Sequence, residues 1–236
     1  MQDRFVAVDL ETTGLDAKTD KITEIGAVRF INGKPAETFS TFVNPGKKLE
    51  TKIIELTGIT DEMLEDAPDM AEVIPQIEAF LGDDILVGHR ILFDYSFLKR
   101  AFSLERVPFE KYGIDTLKIS RNCLKDLESR RLNSLCAHYR IPLQAHRALE
   151  DAKATGFLYL RMAQEFLEAD QEVPKPLIYR VKRDSYITLA QKEQLKKLII
   201  RYKLEEKCDI EKMTRSEAGR YLEELFLEVR KISADL

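Results

Sequence analysis

The sequence predicts an α/β fold built on a mixed sheet, with a small helical module at its carboxyl end. Three observations predict it. Apolar runs at 4–10 and 22–31, the turn pair Asn32-Gly33 and an alternating stretch at 37–43 read as a three-strand antiparallel meander. Short strand patterns then alternate with apolar-periodic helices, the order that adds parallel strands to such a sheet. Near Glu172 the character changes again: Pro174 and Pro176 punctuate the chain, and the residues after them read as helix without strand.

Each element has a local reason. RFVAVDL at 4–10 is apolar on both faces, the mark of a buried strand, and Thr12-Thr13-Gly14 breaks it. ITEIGAVRFI at 22–31 is the second strand, and Asn44-Pro45-Gly46 stops the third. Apolar periodicity predicts a helix over 71–81, closed by Gly82. A short strand at 85–88 precedes a helix at 93–102, and further helices are expected at 115–124, 131–139 and 146–167. In the tail, Thr188 caps a helix to Lys203, and Thr214-x-x-Glu217 is a capping box opening one to about Ile232. The predicted organisation is a domain at 1–172, a linker at 173–187 and a helical module at 188–236.

Composition narrows the function classes. The chain has 236 residues, and 44% hydrophobic content suffices for a core. Its 37 basic and 41 acidic residues nearly balance, which excludes a disordered polyelectrolyte. Cys123, Cys136 and Cys208 are scattered and joined by only three His, so neither a disulfide framework nor a zinc set is expected. No secretory leader or membrane-length apolar run is visible, which predicts a cytoplasmic protein without a membrane partner. The net charge of −4 conceals an asymmetry. Between Pro174 and Lys203 nine basic residues face only Asp184 and Glu193.

Three short elements carry chemistry. Asp9-x-Glu11 ends the first strand, where residues two apart share a face and can converge on one cation. Two acids emerging from an apolar strand are costly unless something positive neutralises them. Asp94 falls in the first turn of a helix after His89-Arg90, and there a plain dipole or capping role competes with ligation. His146 and Asp151 stand five apart at a loop-to-helix junction, so a His in the loop can lean over a site to which the helix contributes Asp151.

In this order VDLETTGLD at 8–16, HRILFD at 89–94 and HRALEDA at 146–152 resemble the DEDDh group of 3′–5′ exonucleases, which have a ribonuclease H-like fold. ITEIGAV at 22–28 and LTGIT at 56–60 match as well, and the resemblance covers about residues 4–167. It implies Asp9, Glu11, Asp94 and Asp151 as ligands of two Mg²⁺ or Mn²⁺ per active site, hard ions suited to oxygen donors. Asp9 would bridge the ions, Glu11 and Asp151 complete one site and Asp94 serve the other. It implies His146 as the base, a residue type suited to neutral pH, and nucleoside 5′-monophosphates as products. The related branch with Tyr four residues before its last Asp is excluded, because Arg147 stands there.

Around the substrate, the resemblance implies Thr12, Leu15, Thr57, His89, Arg90 and Phe93. Arg90 departs from the Asn usual after that His. It either contacts a phosphate or pairs with an acid such as Asp83 or Asp84. The expected partner is nucleic acid with a free 3′ end, single-stranded DNA favoured and RNA possible, with a separate polymerase subunit as a candidate associate. A rival class is a binding module with a dead site, against which the retention of all five catalytic-type residues speaks. The basic tail interleaves Tyr179, Tyr186 and Tyr202, which could track a nucleic-acid backbone. The competing reading makes Lys192, Lys196 and Lys197 a solvated face of a helix packed through Leu189, Leu195, Leu198 and Ile199, and places the clamp-peptide-like QLKKL at 194–198 in that packing.

Overall fold

In the computed structural model, the described residues are 2–143, 146–166, 173–181, 186–204, 209–215, 217–219, 221–222, 225–226 and 229. The chain divides into two compact units, residues 1–181 and 182–236.

In the first unit β1 (Arg4–Thr12), β2 (Ile22–Ile31) and β3 (Lys34–Phe42) form the meander. Asn32 and Gly33 both have positive φ, 50° and 75°, as a tight hairpin turn between twisted strands requires. Short helices α1 (Thr51–Thr57) and α2 (Asp61–Glu65) come next, then α3 (Met70–Leu81), which Asp69 and Glu72 open with a capping box. After these come β4 (Leu86–Gly88), α4 (Leu92–Leu104), β5 (Tyr112–Asp115), α5 (Thr116–Cys123), α6 (Leu132–Tyr139), α7 (Ala148–Phe166) and β6 (Lys175–Pro176). The sheet order is β3-β2-β1-β4-β5-β6, with β1, β4 and β5 parallel and the other pairings antiparallel. It is the mixed sheet that the sequence predicts.

Strand β1 is central and covered on both faces, which explains its unbroken apolar run. Val6, Val8 and Leu10 pack with Ile77, Leu81, Tyr95 and Leu98 from α3 and α4. Phe5 and Ala7 point the other way and pack with Phe30, Ala152 and Tyr159 under α7. The Phe5 ring stacks on Phe30 at 5.0 Å and meets Tyr159 edge-on at 4.9 Å. By alternation Asp9 and Glu11 share the α7 face of β1.

Two expectations change. The 146–167 helix starts later, at Ala148, because His146 adopts φ 68° and cannot be helical; Leu167 lies outside the described residues. The expected linker begins too early: Lys175–Pro176 pair with Tyr112 and Gly113 at the sheet edge, and Leu177 and Tyr179 pack on the first core.

In the second unit α8 (Leu189–Tyr202) carries the predicted capping box, between Thr188 and Gln191. Leu195 is fully buried and packs with Ile210, Met213, Leu222 and Leu225, with Leu198 and Ile199 against them, so the leucines of QLKKL pack in the core while Gln194, Lys196 and Lys197 stay exposed. Leu189 is a correction: it is 78% exposed and takes no part in that packing. Lys192 and Lys196 both bind Glu211, an ion-paired row rather than a bare basic face, and hold its carboxyl down at about 2. Thr214 and Glu217 close the second capping box; much of the expected 214–232 helix lies outside the described residues. Among the described residues no helix is long and apolar enough to cross a membrane.

Candidate active site

The carboxyl ends of the parallel strands β1, β4 and β5 line one edge of the sheet, where ligand sites of α/β sheets collect. Asp9 and Glu11 leave the end of β1 on the α7 face. Asp151, in the first turn of α7, meets them there, and one oxygen from each of the three lies within 4.8 Å of the others. Asp94 comes from the first turn of α4 and is outside that trio. It is 3% exposed, and its Oδ1 accepts the backbone N–H of Leu10 at 3.1 Å, which fixes it against β1 at the residue that separates Asp9 from Glu11.

The approach of α7 depends on Gly26. This residue stands opposite Asp9 in the β1–β2 register, and a Cβ there would overlap the backbone of Ala148 and Leu149. The first turn of α7 therefore sits directly on the sheet beside Asp9. Next along the strand, Glu24 stands opposite Glu11 and is 1% exposed. Its carboxylate accepts from Arg147 Nη2 at 3.0 Å, from Arg147 Nε at 3.2 Å and from Ala148 N at 3.2 Å. Glu24 thus ties the His146 loop and the start of α7 to the sheet. The His146 backbone N–H donates to Asp151 Oδ2 at 3.0 Å, while its ring makes no hydrogen bond with a described residue.

The electrostatics are those of crowded anions. Burial, then Asp94, Asp151 and Glu11, raise the Asp9 carboxyl well above its ordinary 3.8. Burial and the neighbouring Asp151 and Glu24 push Glu11 up to about 7, with Arg147 opposing. Asp94 and Asp151 are raised as well, mainly by burial. Asp151 Oδ1 is buried and has no hydrogen-bond partner among the described residues. Hard oxygen donors, mutual repulsion and an orphaned buried oxygen together fit a divalent cation.

These raised acids give stability a pH dependence of definite sign. They hold more protons in the folded state than in the unfolded chain, so the metal-free protein loses stability as pH rises from about 4 through the Glu11 value of about 7. A divalent cation bound there would take the place of those protons. Mg²⁺ or Mn²⁺ at a hundredfold excess over its Kd is expected to raise Tm by roughly 5–10 °C. At one fixed metal concentration the shift is larger at pH 8 than at pH 6, because protons compete with the cation for the same carboxylates and raise its Kd at the lower pH. A thermal melt with and without metal checks this; an equal shift at both pH values would contradict it.

The outer positions are mostly engaged within the chain. Thr12 donates its hydroxyl to Gly14 O at 2.6 Å. Thr57 donates to Ile53 O at 2.9 Å and accepts from Ile59 N at 3.1 Å. Both nitrogens of His89 are used, Nδ1 with Thr116 Oγ1 at 2.9 Å and Nε2 with Arg130 O at 3.0 Å. Burial lowers the His89 pKa, and Nε2 donates to the Arg130 carbonyl, which can only accept. These three shape the site instead of offering free polar atoms. Leu15 is 83% exposed, and Phe93 packs on Phe97 with ring centroids 5.0 Å apart. Arg90 does not pair with Asp84, which Arg4 and Arg29 occupy at 2.6 and 3.0 Å. Glu24 and Arg147 are the positions that sequence reasoning misses as a clamp; the available signal is one acid inside an apolar strand.

Comparison with known proteins agrees with this geometry. Residues 6–159 match the family described as Exonuclease. A DNA polymerase III PolC-type protein of Oceanobacillus iheyensis is 43% identical over 173 residues, which is 72% of this chain but 12% of that protein. The chain therefore spans about an eighth of the length of such relatives. Among solved structures, Exonuclease X in complex with 5′ overhanging duplex DNA is 26% identical with a TM-score of 0.57, covering 71% of this chain and 96% of its own. The nuclease domain of 3′hExo, a DEDDh family member bound to rAMP, shares the fold: TM-score 0.60, 23% identity, 72% and 98% coverage. The family match covers Asp9, Glu11, Asp94 and Asp151, and the chain belongs to the exonuclease family.

Proposed function

We propose that the chain is a metal-dependent 3′–5′ exonuclease that releases nucleoside 5′-monophosphates from nucleic-acid 3′ ends, with single-stranded DNA as the preferred substrate. The observation that carries this reading is the division of four buried or half-buried carboxylates into a trio within 4.8 Å and a fourth held apart by Leu10 N. That division suits two Mg²⁺ or Mn²⁺ ions, with Asp9, Glu11 and Asp151 toward one and Asp94 toward the other. When bound, such ions supply positive charge to the attacking and leaving oxygens of an in-line displacement at phosphorus. The likeness to PolC-type DNA polymerases supports DNA and a polymerase context.

The chain's own residues do the rest. Glu24 and Arg147 hold the loop, and Asp151 holds the His146 backbone, so that the imidazole borders the carboxylates and takes the proton of the attacking water. The P–O3′ bond breaks and the departing 3′ oxygen takes up a proton. His146→Gln is expected to lower kcat by roughly 10²–10⁴-fold while leaving strand binding intact, measured by single-turnover hydrolysis beside a binding titration. A loss confined to KM would remove His146 from the role of base.

Matched DNA and RNA strands, labelled at either end and incubated with Mg²⁺, Mn²⁺ or a chelator, test the reading. Stepwise shortening from the 3′ end, faster on DNA and absent with chelator, is expected. Failure on both nucleic acids with both metals would leave the rival binding-module reading.

A further inference from the structure

A second site, basic where the first is acidic, lies one strand along the same sheet edge. The carboxyl ends of β4 and β5, with α5 and the start of α6, border an open cavity of about 550 Å³. Arg90, Arg121, Arg130 and Arg131 line it, and Glu128 is the sole acid among its lining residues. Arg130 is structural: its Nη2 donates to Leu124 O at 2.9 Å and to Lys125 O at 2.6 Å. No ion pair of Arg90, Arg121 or Arg131 is found among the described residues, and the acids nearby are Glu128 in the lining and Asp115, which holds the backbone of Arg90.

The site is built, not incidental. Arg90 has φ 74°, a conformation costly for a residue with a side chain, and its N–H is held by Asp115 Oδ1 at 3.0 Å. The same Asp115 oxygen caps α5 through Leu117 N and Lys118 N. The opposite wall is held by His89, whose Nε2 binds the carbonyl of Arg130. Two groups that the catalytic arrangement does not use therefore fix both sides of the cavity. Guanidinium groups are the preferred partners of phosphate oxygens.

We propose that this cavity binds backbone phosphates of the substrate strand 5′ to the bond being cleaved. The inference rests on the proposed 3′-end activity: an enzyme that consumes a 3′ end leaves only upstream phosphates to hold. Arg90 lies four residues before Asp94, and its guanidinium sits 5.9 Å from the centre of the Phe93 ring, so one wall of the cavity belongs to the segment that carries Asp94. The departure from the family's usual Asn thereby acquires a purpose.

Binding to an Asp9→Asn protein, which cannot shorten its ligand, tests this by fluorescence anisotropy. Arg121→Gln/Arg131→Gln is expected to weaken a long single strand about tenfold and to lower the salt slope by about 1 per lost contact. A dinucleotide is expected to bind both proteins alike, Arg131→Lys to keep most of the affinity, and Glu128→Gln to tighten the long strand. Equal weakening at both lengths, or none, would overturn the proposal. Inorganic phosphate competing with the dinucleotide as well as with the long strand would indicate a free-phosphate or product site and also overturn it. Because the readout is binding, an enzyme inactive on every 3′ end would sink the functional reading separately.

Discussion

Asp9→Asn is expected to abolish hydrolysis and, at the same time, to stabilise the metal-free protein. The loss is at least about 10³-fold, since charge stabilisation by metal is worth several kcal/mol at the transition state. The gain arises because Asn keeps the shape of the side chain but removes one of several crowded carboxylates. Asp9 is raised by burial and by Asp94, Asp151, Glu11 and Glu24 together, so its removal relieves the group at neutral pH. A rise on the order of 1 kcal/mol is expected at pH 8, shrinking toward pH 5 as the acids protonate. Added Mg²⁺ should lose much of its stabilising effect. Hydrolysis and melting curves on one preparation decide it: a variant both inactive and less stable at pH 8 would mean that Asp9 serves the fold and not a cation.

Gly26→Ala is the largest structural effect expected. Its Cβ meets main-chain atoms of Ala148 and Leu149, which cannot rotate away, so α7 must move off the sheet. Overpacking against backbone costs about 3 kcal/mol, or roughly 6–12 °C in Tm. The displaced turn carries Asp151, and the clamp from Glu24 to Ala148 N stretches with it. Activity per folded molecule should fall too. Gly156→Ala is the control: its Cβ would meet the ring of Phe30, two helical turns from Ala148. It should destabilise comparably but leave the turnover of folded molecules near that of the unsubstituted protein. If both glycine variants keep full turnover, close seating of α7 is not what places Asp151.

Much of the fold was readable from residues in a row. The meander was legible because its signals are local: an apolar strand, an Asn-Gly turn with both residues at positive φ, and an alternating partner. β5 was not, because Tyr112–Asp115 becomes a strand only by pairing with β4 on one side and Lys175–Pro176 on the other. The short α1 and α2 escaped for a related reason, since seven and five residues hold too little periodicity. At the site, Asp9, Glu11, Asp94 and Asp151 stood out by motif, and the structure brings them to one sheet edge. Their supports did not stand out. His89 is anchored by Thr116 and Arg130, 27 and 41 residues away, and Glu24 by Arg147 and Ala148, more than 120 residues away. A motif records which groups react, whereas the contacts that aim them are distributed through the fold.

The pairing of β1 with β2 ties the acids to the core. Asp9 and Glu11 alternate with Val8 and Leu10 on a strand whose two faces pack into different clusters. A slip of one residue would turn both acids toward α3 and α4 and strand Val8 and Leu10 beneath α7. Such a molecule could not close either cluster. Correct assembly of the core and correct presentation of the acids are thus one event, which makes turnover a count of properly folded molecules. Destabilising changes far from this edge should then lower the number of working copies without altering how fast each one works.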